Sequence, residues 1–413
     1  MPKAPIVVVG ASLAGLRAAT AIRAAGYDGE LVIVGEEERL PYTRPPLSKG
    51  VLQGVEDPES TDLGGADLEV SWRLGARAGA LDREAGRLVL ADGEQIPYSR
   101  LVVATGSRPR QWMGPGARLA GLHTLRTLDD SLRLRDQLLR RPRLVTIGAG
   151  FIGCEVAATA RALGLEVTMV DVAERPLTAF GASIGDWVER IHRARGVDVR
   201  LGVGVDAVEG AERVEAVRLA DGTRIAADLA VVALGALPEV EWLRDSGLAI
   251  GPGVRCNATL TSVTDPDVLA AGDAAAWPHP LARQNAIRVE HWTNAAEGGR
   301  LAGRNALRAP GERERYESVP RMWSDQYGIR IQVAGLPEPA GPERVLEADP
   351  SGDRLVAACP DSGPIRAAVA IAAPRRMVWY RRQIEQGASV DEVAAAVRAD
   401  EEALGPPREA VPS

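Results

Sequence analysis

The stretch Ile6-Val-Val-Val-Gly-Ala-Ser-Leu-Ala-Gly15 decides the fold of this chain. Its first four residues are apolar and mostly β-branched, which predicts a buried strand. The glycines that follow open an Ala-rich helix that runs to about Ala25 and stops at Gly26. A second apolar strand, Leu31–Val34, precedes three glutamates. A strand, a glycine turn, a helix and a strand that ends in acids is the pattern of a dinucleotide-binding unit.

The same unit occurs a second time, so the sequence predicts two dinucleotide-binding modules. The apolar residues 144–147 lead into Gly148-Ala-Gly-Phe-Ile-Gly153, a helix, a strand over 166–170, and Asp171. A later landmark also repeats, because an apolar strand that ends in glycine occurs at 101–106 and again at 230–235. Glycines that only permit tight turns remain the alternative, and the duplication argues against it.

The glycine turns are the predicted binding sites for pyrophosphate. Glycines permit close backbone approach, and a helix N-terminus supplies free N–H groups and partial positive charge. The second turn has the full set, Gly148, Gly150 and Gly153, whereas the first has Ser12 between Gly10 and Gly15. The Cβ of Ser12 is expected to shift the pyrophosphate slightly.

The acids that follow each unit are predicted to bind an adenosine ribose. Glu36 lies 21 residues after Gly15, and Glu37 is nearly as well placed, with a solvated charge run as the alternative. Asp171 lies 18 residues after Gly153, at a strand end. A carboxylate there suits a ribose diol and repels a 2′-phosphate, so NADH is favoured over NADPH, with the nearby Arg175 as the one feature that weakens this preference.

Composition excludes several classes of protein. The 413 residues predict two or three domains, and 25% charged with 46% hydrophobic residues is the balance of a globular protein. No apolar run reaches the ~18 residues of a membrane span. The net charge of −7 argues against binding nucleic acid through its phosphates. The short apolar run at the N-terminus is no signal-peptide core, so we expect a cytoplasmic protein.

The positive charges are almost all arginine. Lysine and arginine total 49, and the only lysines are Lys3 and Lys49, which leaves 47 arginines. A compact ammonium and a planar guanidinium differ physically, so a rare interior lysine suggests a task that arginine cannot perform.

Five segments resemble one known family, the ferredoxin reductases that serve bacterial oxygenases, of the putidaredoxin-reductase and rhodocoxin-reductase type. The resemblance covers essentially the whole chain, and its first and last segments are the specific ones. The segments are Pro41-Tyr-Thr-Arg-Pro-Pro-Leu-Ser-Lys49, Ala104-Thr-Gly-Ser-Arg-Pro109, Leu269-Ala-Ala-Gly-Asp-Ala274, Val289-Glu-His-Trp-Thr-Asn-Ala295 and Trp323-Ser-Asp-Gln326.

The resemblance implies an α/β fold with two Rossmann-like dinucleotide-binding domains in a glutathione-reductase-like arrangement, plus a C-terminal α/β domain. The FAD-binding domain is expected to be discontinuous, over residues 1–110 and 236–315. The NAD(H)-binding domain is expected over 111–235, and the C-terminal domain over 316–413 with a disordered tail near 405–413.

The resemblance also implies roles for individual residues around FAD. Asp273 is expected near the ribityl–pyrophosphate region, with capping of a helix from Ala274 as the alternative. Two tryptophans are expected to border the flavin, with a core position as the alternative. The expected FAD-site residues beyond the first glycine turn and its acids are Arg44, Pro46, Lys49, Ala78, Ala104, Gly106, Asp273, Trp292 and Trp323.

The activity that the resemblance implies is hydride transfer from NADH to FAD, followed by release of single electrons to an iron–sulfur ferredoxin that serves a monooxygenase or dioxygenase. Lys49 is the candidate positive charge beside the flavin, and Glu155 is its candidate partner, with complementing the helix dipole as the alternative for Glu155. A rubredoxin or nitrite-reductase donor, or a switching flavoprotein related to apoptosis-inducing factor, remains the alternative function.

The cysteines argue against related flavoenzymes that use a thiol. Cys154, Cys256 and Cys359 are far apart, and residues 40–60 contain none. Disulfide reductases, flavoprotein peroxidases and water-forming oxidases of similar architecture need cysteine in that loop.

An acidic ferredoxin needs a local basic face on this acidic chain. Two arginine clusters are candidates, with solvated helix faces as the alternative. The first, on a predicted helix, has i, i+4, i+8 spacing. The clusters are Arg300, Arg304 and Arg308, and Arg375, Arg376, Arg381 and Arg382.

Overall fold

The structure, a computed structural model, describes residues 4–283, 286–337, 341–349 and 351–404. Lys3 and the tail predicted near 405–413 lie outside the described residues. The chain divides into two compact units. The first comprises Met1–Trp112, Thr124–Asp136 and Leu234–Pro320, and the second Met113–His123, Gln137–Ala233 and Arg321–Ser413. None of the described helices is both long enough and apolar enough to cross a membrane.

The elements up to residue 233 comprise two strand–helix–strand units and several further strands. Up to residue 112 they are β1 (Ile6–Val9), α1 (Leu13–Ala24), β2 (Leu31–Val34), α2 (Gly50–Gln53), β3 (Ser71–Arg73), β4 (Ala78–Asp82), β5 (Arg87–Leu90), β6 (Gln95–Pro97), β7 (Arg100–Val103) and β8 (Ser107–Pro109). From there to residue 233 they are β9 (Leu122–His123), α3 (Leu128–Leu138), β10 (Leu144–Ile147), α4 (Phe151–Ala162), β11 (Val167–Val170), α5 (Ala182–Ala194), β12 (Asp198–Arg200), β13 (Val205–Glu209), β14 (Ala216–Leu219), β15 (Arg224–Ala226) and β16 (Leu229–Val232).

The remaining elements complete both units. Those of residues 234–320 are β17 (Ala236–Pro238), β18 (Val254–Arg255), β19 (Val268–Ala270), β20 (Ala275–Ala276) and α6 (Trp292–Ala306). Those of residues 321–404 are β21 (Arg321–Gln326), β22 (Ile329–Gly335), β23 (Arg344–Ala348), β24 (Leu355–Cys359), β25 (Ala367–Ile371), α7 (Pro374–Gln386) and α8 (Val390–Leu404).

A parallel five-stranded sheet forms the core of the first unit. Its strand order is β19-β7-β1-β2-β3, and β1 is buried along its whole length, as an apolar strand covered on both faces must be. Ile6 pairs with Leu31 on one side and Arg100 on the other. β19 pairs with β7 at the edge, so a distant part of the chain returns to complete this sheet.

Small residues let α1 and α6 of the first unit pack backbone to backbone. A Cβ added to Gly299 would lie 2.3 Å from the carbonyl oxygen of Ala14, and one added to Gly303 would lie 2.3 Å from that of Ala18. Neither distance leaves room for a side chain, so the glycines of α6 and the alanines of α1 set the separation of the two helices.

The second unit contains one parallel and one antiparallel five-stranded sheet. The parallel sheet has the order β12-β11-β10-β16-β9, and the antiparallel sheet has the order β21-β22-β25-β24-β23. In the latter, β24 and β25 are buried at every residue. The predicted α/β class, with two Rossmann-like parallel sheets and a further C-terminal α/β region, is confirmed.

The close contact between α1 and α6 predicts that adding one methyl group at the contact lowers stability more than adding one at an open glycine. Gly303→Ala should lower the free energy of unfolding by roughly 1–3 kcal/mol through overpacking, despite the better helix propensity of alanine. Gly311→Ala is the matched control, because a Cβ there meets nothing within 4 Å, and it should change stability by about 0.5 kcal/mol or less. Urea denaturation measures both, and equal values for the two variants would contradict this packing.

Candidate functional site

The first glycine turn brings three backbone segments into contact. Gly10 has a φ of 121°, which favours glycine, and its N–H donates to the carbonyl oxygen of Val34 over 2.7 Å. A Cβ on Gly10 would lie 2.1 Å from the carbonyl oxygen of Ala104, and one on Gly15 would lie 1.9 Å from that of Gly10. The turn therefore places α1 directly against the carboxyl ends of β1 and β7.

The start of α1 carries no competing charge or cap. Ser12 is the extended residue before the helix, its side chain makes no capping hydrogen bond, and no acid lies in the first turn. The backbone N–H groups at this end lack the side-chain oxygen that usually satisfies them. An anionic group fits this position.

A cavity of about 290 Å³ opens at the same edge of the sheet. It brings together three residues predicted to bind cofactor, Gly10, Glu36 and Ala78, and Thr105 and Trp242 line it as well. The cavity lies at the carboxyl ends of parallel strands, where nucleotides bind in open α/β sheets. Its residues therefore fit the adenosine half of a dinucleotide.

The adjacent acids differ in what they contact. Glu36 is exposed and lines the cavity. Glu37 instead accepts hydrogen bonds from Tyr42 over 2.5 Å and from Arg44 over 2.7 Å. Of the two predicted ribose-binding carboxylates, Glu36 alone lines this cavity, and Glu37 holds the loop that follows β2.

That loop is anchored by a half-buried ion pair between Arg44 and Glu37. Burial lowers the pKa of Arg44, but the charges of Tyr42 and Glu37 outweigh it and raise the pKa overall. Burial, with the Glu37 hydrogen bond, raises the pKa of Tyr42 to about 12. The Arg44 guanidinium also donates to the carbonyl oxygen of Arg126 over 2.7 Å. Arg44 is thus a structural anchor and not an exposed turn residue.

The two prolines of the loop begin a 3₁₀ turn, Pro45–Ser48, that ends at Lys49. Pro46 and Lys49 are half-buried. The Lys49 ammonium donates to the carbonyl oxygen of Pro45 over 3.1 Å. The Trp292 indole, at the start of α6, donates to the hydroxyl of Thr43 in the same loop over 3.0 Å. Trp292 is therefore half-buried and hydrogen-bonded to the loop, so it is neither a fully buried core aromatic nor an exposed one.

Asp273 is a buried carboxylate with a hydroxyl and a guanidinium as partners. It is 8% exposed and accepts from Ser107 over 2.7 Å and from Arg126 over 3.0 Å. The alternative prediction, a helix from Ala274 capped by Asp273, is wrong, because a 3₁₀ turn leads directly into β20. Gly106, with a φ of 75°, lies beside Ser107.

Two contributors to this cluster were missed in the sequence. Ser107 sits inside a segment that was noticed, one residue after Gly106, so its motif was an available signal. Arg126 had no local signal, because its partner Asp273 is 147 positions away.

The second glycine turn repeats the geometry of the first. Gly148 donates to the carbonyl oxygen of Val170 over 2.7 Å. A Cβ on Gly153 would lie 1.9 Å from the carbonyl oxygen of Gly148. Gly150 precedes α4, where no side chain caps the helix, and a Cβ there would meet nothing within 4 Å. This open space before a helix N-terminus also fits an anion.

Asp171 closes the second turn through the backbone. It accepts from the N–H of Ala149 over 2.6 Å and from that of Ala173 over 2.8 Å, through different carboxylate oxygens. Each oxygen has a second lone pair, so a ribose hydroxyl can still donate to it. The nearby Arg175 is paired with Asp186 over 2.6 Å, which directs its charge toward α5.

Glu155 and Trp323 lie in the second unit. Glu155, in α4, is 4% exposed and accepts from the Ser324 hydroxyl over 2.6 Å. Because Glu155 is both buried and hydrogen-bonded, it differs from a surface acid that only complements the helix dipole. Trp323 is half-buried on β21.

The described residues contain no reactive thiol site or metal cluster. All three cysteines are free and buried, and burial raises the pKa of Cys256 and of Cys359 to about 12. Within the described residues, no group of His, Cys, Asp or Glu is arranged to hold a metal ion.

The predicted basic faces are partly neutralised. α6 ends at Ala306, so Arg308 lies past the helix, and the prediction that three arginines share one helical face is corrected to two. Arg304 and Arg308 both pair with Glu314. Arg300 is exposed, and burial together with the positive charge of Arg300 lowers the pKa of Arg17. In the second cluster, Arg376 pairs with Glu347 and Arg381 with Glu385, whereas Arg375 and Arg382 are exposed.

Two family models match the chain. The one described as pyridine nucleotide-disulphide oxidoreductase matches residues 4–299, and the one described as reductase C-terminal matches residues 321–403. The ferredoxin–NAD(+) reductase component of an anthranilate 1,2-dioxygenase system from Burkholderia cepacia is 38% identical over 393 residues, which cover 94% of this chain and 95% of that protein.

Two further similarities concern putidaredoxin reductase. The protein from Pseudomonas putida is 36% identical over 352 residues, which cover 83% of this chain and 82% of that protein. The solved structure of a covalent putidaredoxin reductase–putidaredoxin complex matches with a TM-score of 0.87 and 32% identity over 94% of each chain.

The cluster around Asp273 predicts a stability difference between two Arg–Asp pairs. Arg126→Met should lower the free energy of unfolding by about 1–2 kcal/mol, because the buried carboxylate loses its guanidinium partner while the hydrogen bond from Ser107 remains. Arg133→Met is the matched control, since Arg133 is 64% exposed in its pair with Asp130, and about 0.5 kcal/mol or less is expected. Urea titrations of both variants test this, and a larger loss for Arg133→Met would count against it.

Proposed function

The chain belongs to the pyridine nucleotide-disulphide oxidoreductase family and, within it, to the ferredoxin–NAD(+) reductases of oxygenase systems, and on this premise we propose that it passes electrons from NADH through FAD to an iron–sulfur ferredoxin. The ferredoxin serves a monooxygenase or a dioxygenase. The observation that carries the proposal is the repeated turn, in which an uncapped helix start and a nearby carboxylate meet at the edge of each parallel sheet.

We assign one dinucleotide to each module. FAD is proposed to bind the domain formed by residues 1–110 and 236–315, and NADH the domain formed by 111–235. Residues 316–413 form the C-terminal domain in this proposal, and the protein acts in the cytoplasm. When bound, FAD accepts a hydride from NADH and releases electrons one at a time.

The residues of the first unit fit FAD in an ordered way. The N–H groups at the start of α1, beside Gly10, Ser12 and Gly15, would hold the pyrophosphate. Glu36 accepts from the adenosine ribose within the cavity, where Ala78 contributes its backbone. Ala104, Gly106 and Asp273 continue the site toward the flavin end, where Arg44 and Pro46 hold the loop rigid.

The second unit is proposed to prefer NADH over NADPH. The turn Gly148, Gly150 and Gly153 receives the pyrophosphate, and Asp171 accepts from a ribose hydroxyl and repels a 2′-phosphate. Arg175, the residue that could attract a 2′-phosphate, is already paired with Asp186. The pairing supports the preference that the carboxylate alone suggests.

Lys49 and Glu155 are proposed as the charged residues at the reacting end, with Trp292 and Trp323 bordering the flavin. A fixed ammonium would stabilise negative charge that develops during reduction. Glu155 would orient the nicotinamide in this proposal.

The experiment that tests the proposed function is anaerobic reduction. Purified protein should be yellow with bound FAD, and NADH should bleach its absorption band, with NADPH far slower. A colourless protein that cannot bind FAD, or a yellow one that NADH does not bleach, would overturn the proposal.

Replacing Lys49 tests the role of its charge. Lys49→Met should slow flavin reduction by NADH by about tenfold to a hundredfold in stopped-flow measurements, the size expected for losing one electrostatic contact to the transition state. Lys49→Arg keeps the positive charge in a guanidinium of different shape. Its rate of flavin reduction should lie between the rates of the wild type and Lys49→Met. Unchanged rates and FAD content in Lys49→Met would remove Lys49 from the mechanism.

Charge reversal distinguishes the two arginine clusters as docking faces. Arg300→Glu should raise the KM for ferredoxin roughly three- to tenfold, with strong salt dependence, because Arg300 is exposed and lies close enough to Arg17 to lower its pKa, which concentrates positive charge there. Arg382→Glu, also exposed, should leave that KM nearly unchanged. The reverse result would move the docking face to the C-terminal cluster.

A further inference from the structure

A chain of buried hydrogen bonds runs through the second unit from Glu155 to Tyr327. Ser324 Oγ and Glu155 Oε1 are 2.6 Å apart, and Gln326 Nε2 lies 3.1 Å from Ser324 Oγ. His192 Nε2 lies 3.0 Å from Gln326 Oε1, and the Tyr327 hydroxyl lies 2.8 Å from His192 Nδ1. The chain therefore joins α4, α5, β21 and the turn that follows β21.

The role of each side chain as hydrogen-bond donor or acceptor fixes the role of the next. The Glu155 carboxylate only accepts, so the Ser324 hydroxyl donates to it and accepts from the Gln326 amide nitrogen. The Gln326 oxygen then accepts, which requires a proton on His192 Nε2. In a neutral ring, Nδ1 is then the acceptor for Tyr327. All four donors point toward Glu155.

Burial keeps the members of the chain in these protonation states. Ser324 and His192 are 0% exposed, and Gln326 is 2% exposed. Burial lowers the pKa of His192 to about 4, partly offset by its hydrogen bond to Gln326, so the ring is neutral near pH 7. Burial also raises the pKa of Tyr327, which therefore remains a phenol and a donor.

The backbone at the far end is strained in a way that holds Tyr327 in place. Tyr327 has a φ of 55°, a left-handed conformation that a bulky residue rarely adopts. The guanidinium of Arg195 lies 5.1 Å from the centre of its ring, within the range of a cation–π contact. Strand alternation places Ser324 and Gln326 on one face of β21, so the turn and the strand together align three members.

We propose that Ser324, Gln326, His192 and Tyr327 are positioning residues that hold the Glu155 carboxylate in one orientation for the reaction with NADH. This inference rests on the proposed function. Hydrogen bonds to a carboxylate are stronger than neutral ones, and bonds in a chain polarise one another in a low-dielectric interior. The hydrogen-bond chain thus links the orientation of Glu155 to side chains that lie far from the reacting atoms.

The direction of the chain can be tested without NADH or turnover. The protein contains only four histidines, so ¹⁵N-histidine labelling and comparison with His192→Gln assign the ring of His192. A long-range ¹H–¹⁵N spectrum of the whole protein near pH 7 should show a neutral His192 ring protonated at Nε2. In Tyr327→Phe, the Nδ1 signal should shift, whereas Tyr27→Phe, a change at a half-buried tyrosine of the first unit, should leave it unchanged. A His192 ring protonated at Nδ1 would overturn the inference.

Kinetics tests whether the chain acts on the reaction. Ser324→Ala and Gln326→Met should each slow flavin reduction by NADH about tenfold or more, the effect of losing a charge-assisted hydrogen bond. Ser324→Thr keeps the hydroxyl and should recover most of the rate, which a role in packing alone would not produce. FAD content and melting temperature identify any variant that fails to fold. If one fails, the rate of Ser324→Thr and the histidine spectrum test the inference instead.

The two failures are distinguishable. If NADH does not reduce the flavin of the wild-type protein, the proposed function fails, and the tautomer of His192 still decides whether the chain has the inferred direction. If the wild type is reduced and Ser324→Ala and Gln326→Met retain its rate, the inference fails while the proposed function stands.

Discussion

The structure depends on backbone contacts too close for a Cβ atom. Gly10 and Gly15 in the first unit, and Gly153 against Gly148 in the second, bring each helix start directly to the end of its parallel sheet. Any side chain there would push the helix away and separate the helix N-terminus from the acids that follow the next strand. Two features that fit a dinucleotide, free N–H groups and a carboxylate, are thus combined by one steric constraint.

A second regularity concerns how the buried carboxylates are held. Asp273 in the first unit accepts from Ser107, and Glu155 in the second accepts from Ser324. Asp273 also accepts from the Arg126 guanidinium, and the hydrogen bonds of Glu155 extend through Ser324, Gln326 and His192 to Tyr327.

What the sequence could predict followed from local pattern. The strand Ile6–Val9, its glycine turn and the repeat at Gly148 each fit within a few residues, so the α/β class and both turns were accessible. Contacts between distant positions were not, as with Arg126 and Asp273, or His192 and Gln326, which are 134 positions apart. The helix expected from Ala274 failed because Ala275 pairs with Val254 as a strand, and tertiary pairing overrode the helix propensity of the alanines.

The central claim is that this chain connects a two-electron donor to a one-electron acceptor. The most direct measurement reduces the yellow protein anaerobically with a limiting amount of NADH, mixes it with excess oxidised iron–sulfur ferredoxin, and counts the ferredoxin reduced. The account predicts two ferredoxin molecules reduced for each NADH consumed, with the oxidised flavin spectrum restored. A protein that NADH reduces but that transfers no electrons to any ferredoxin of a broad panel would contradict it.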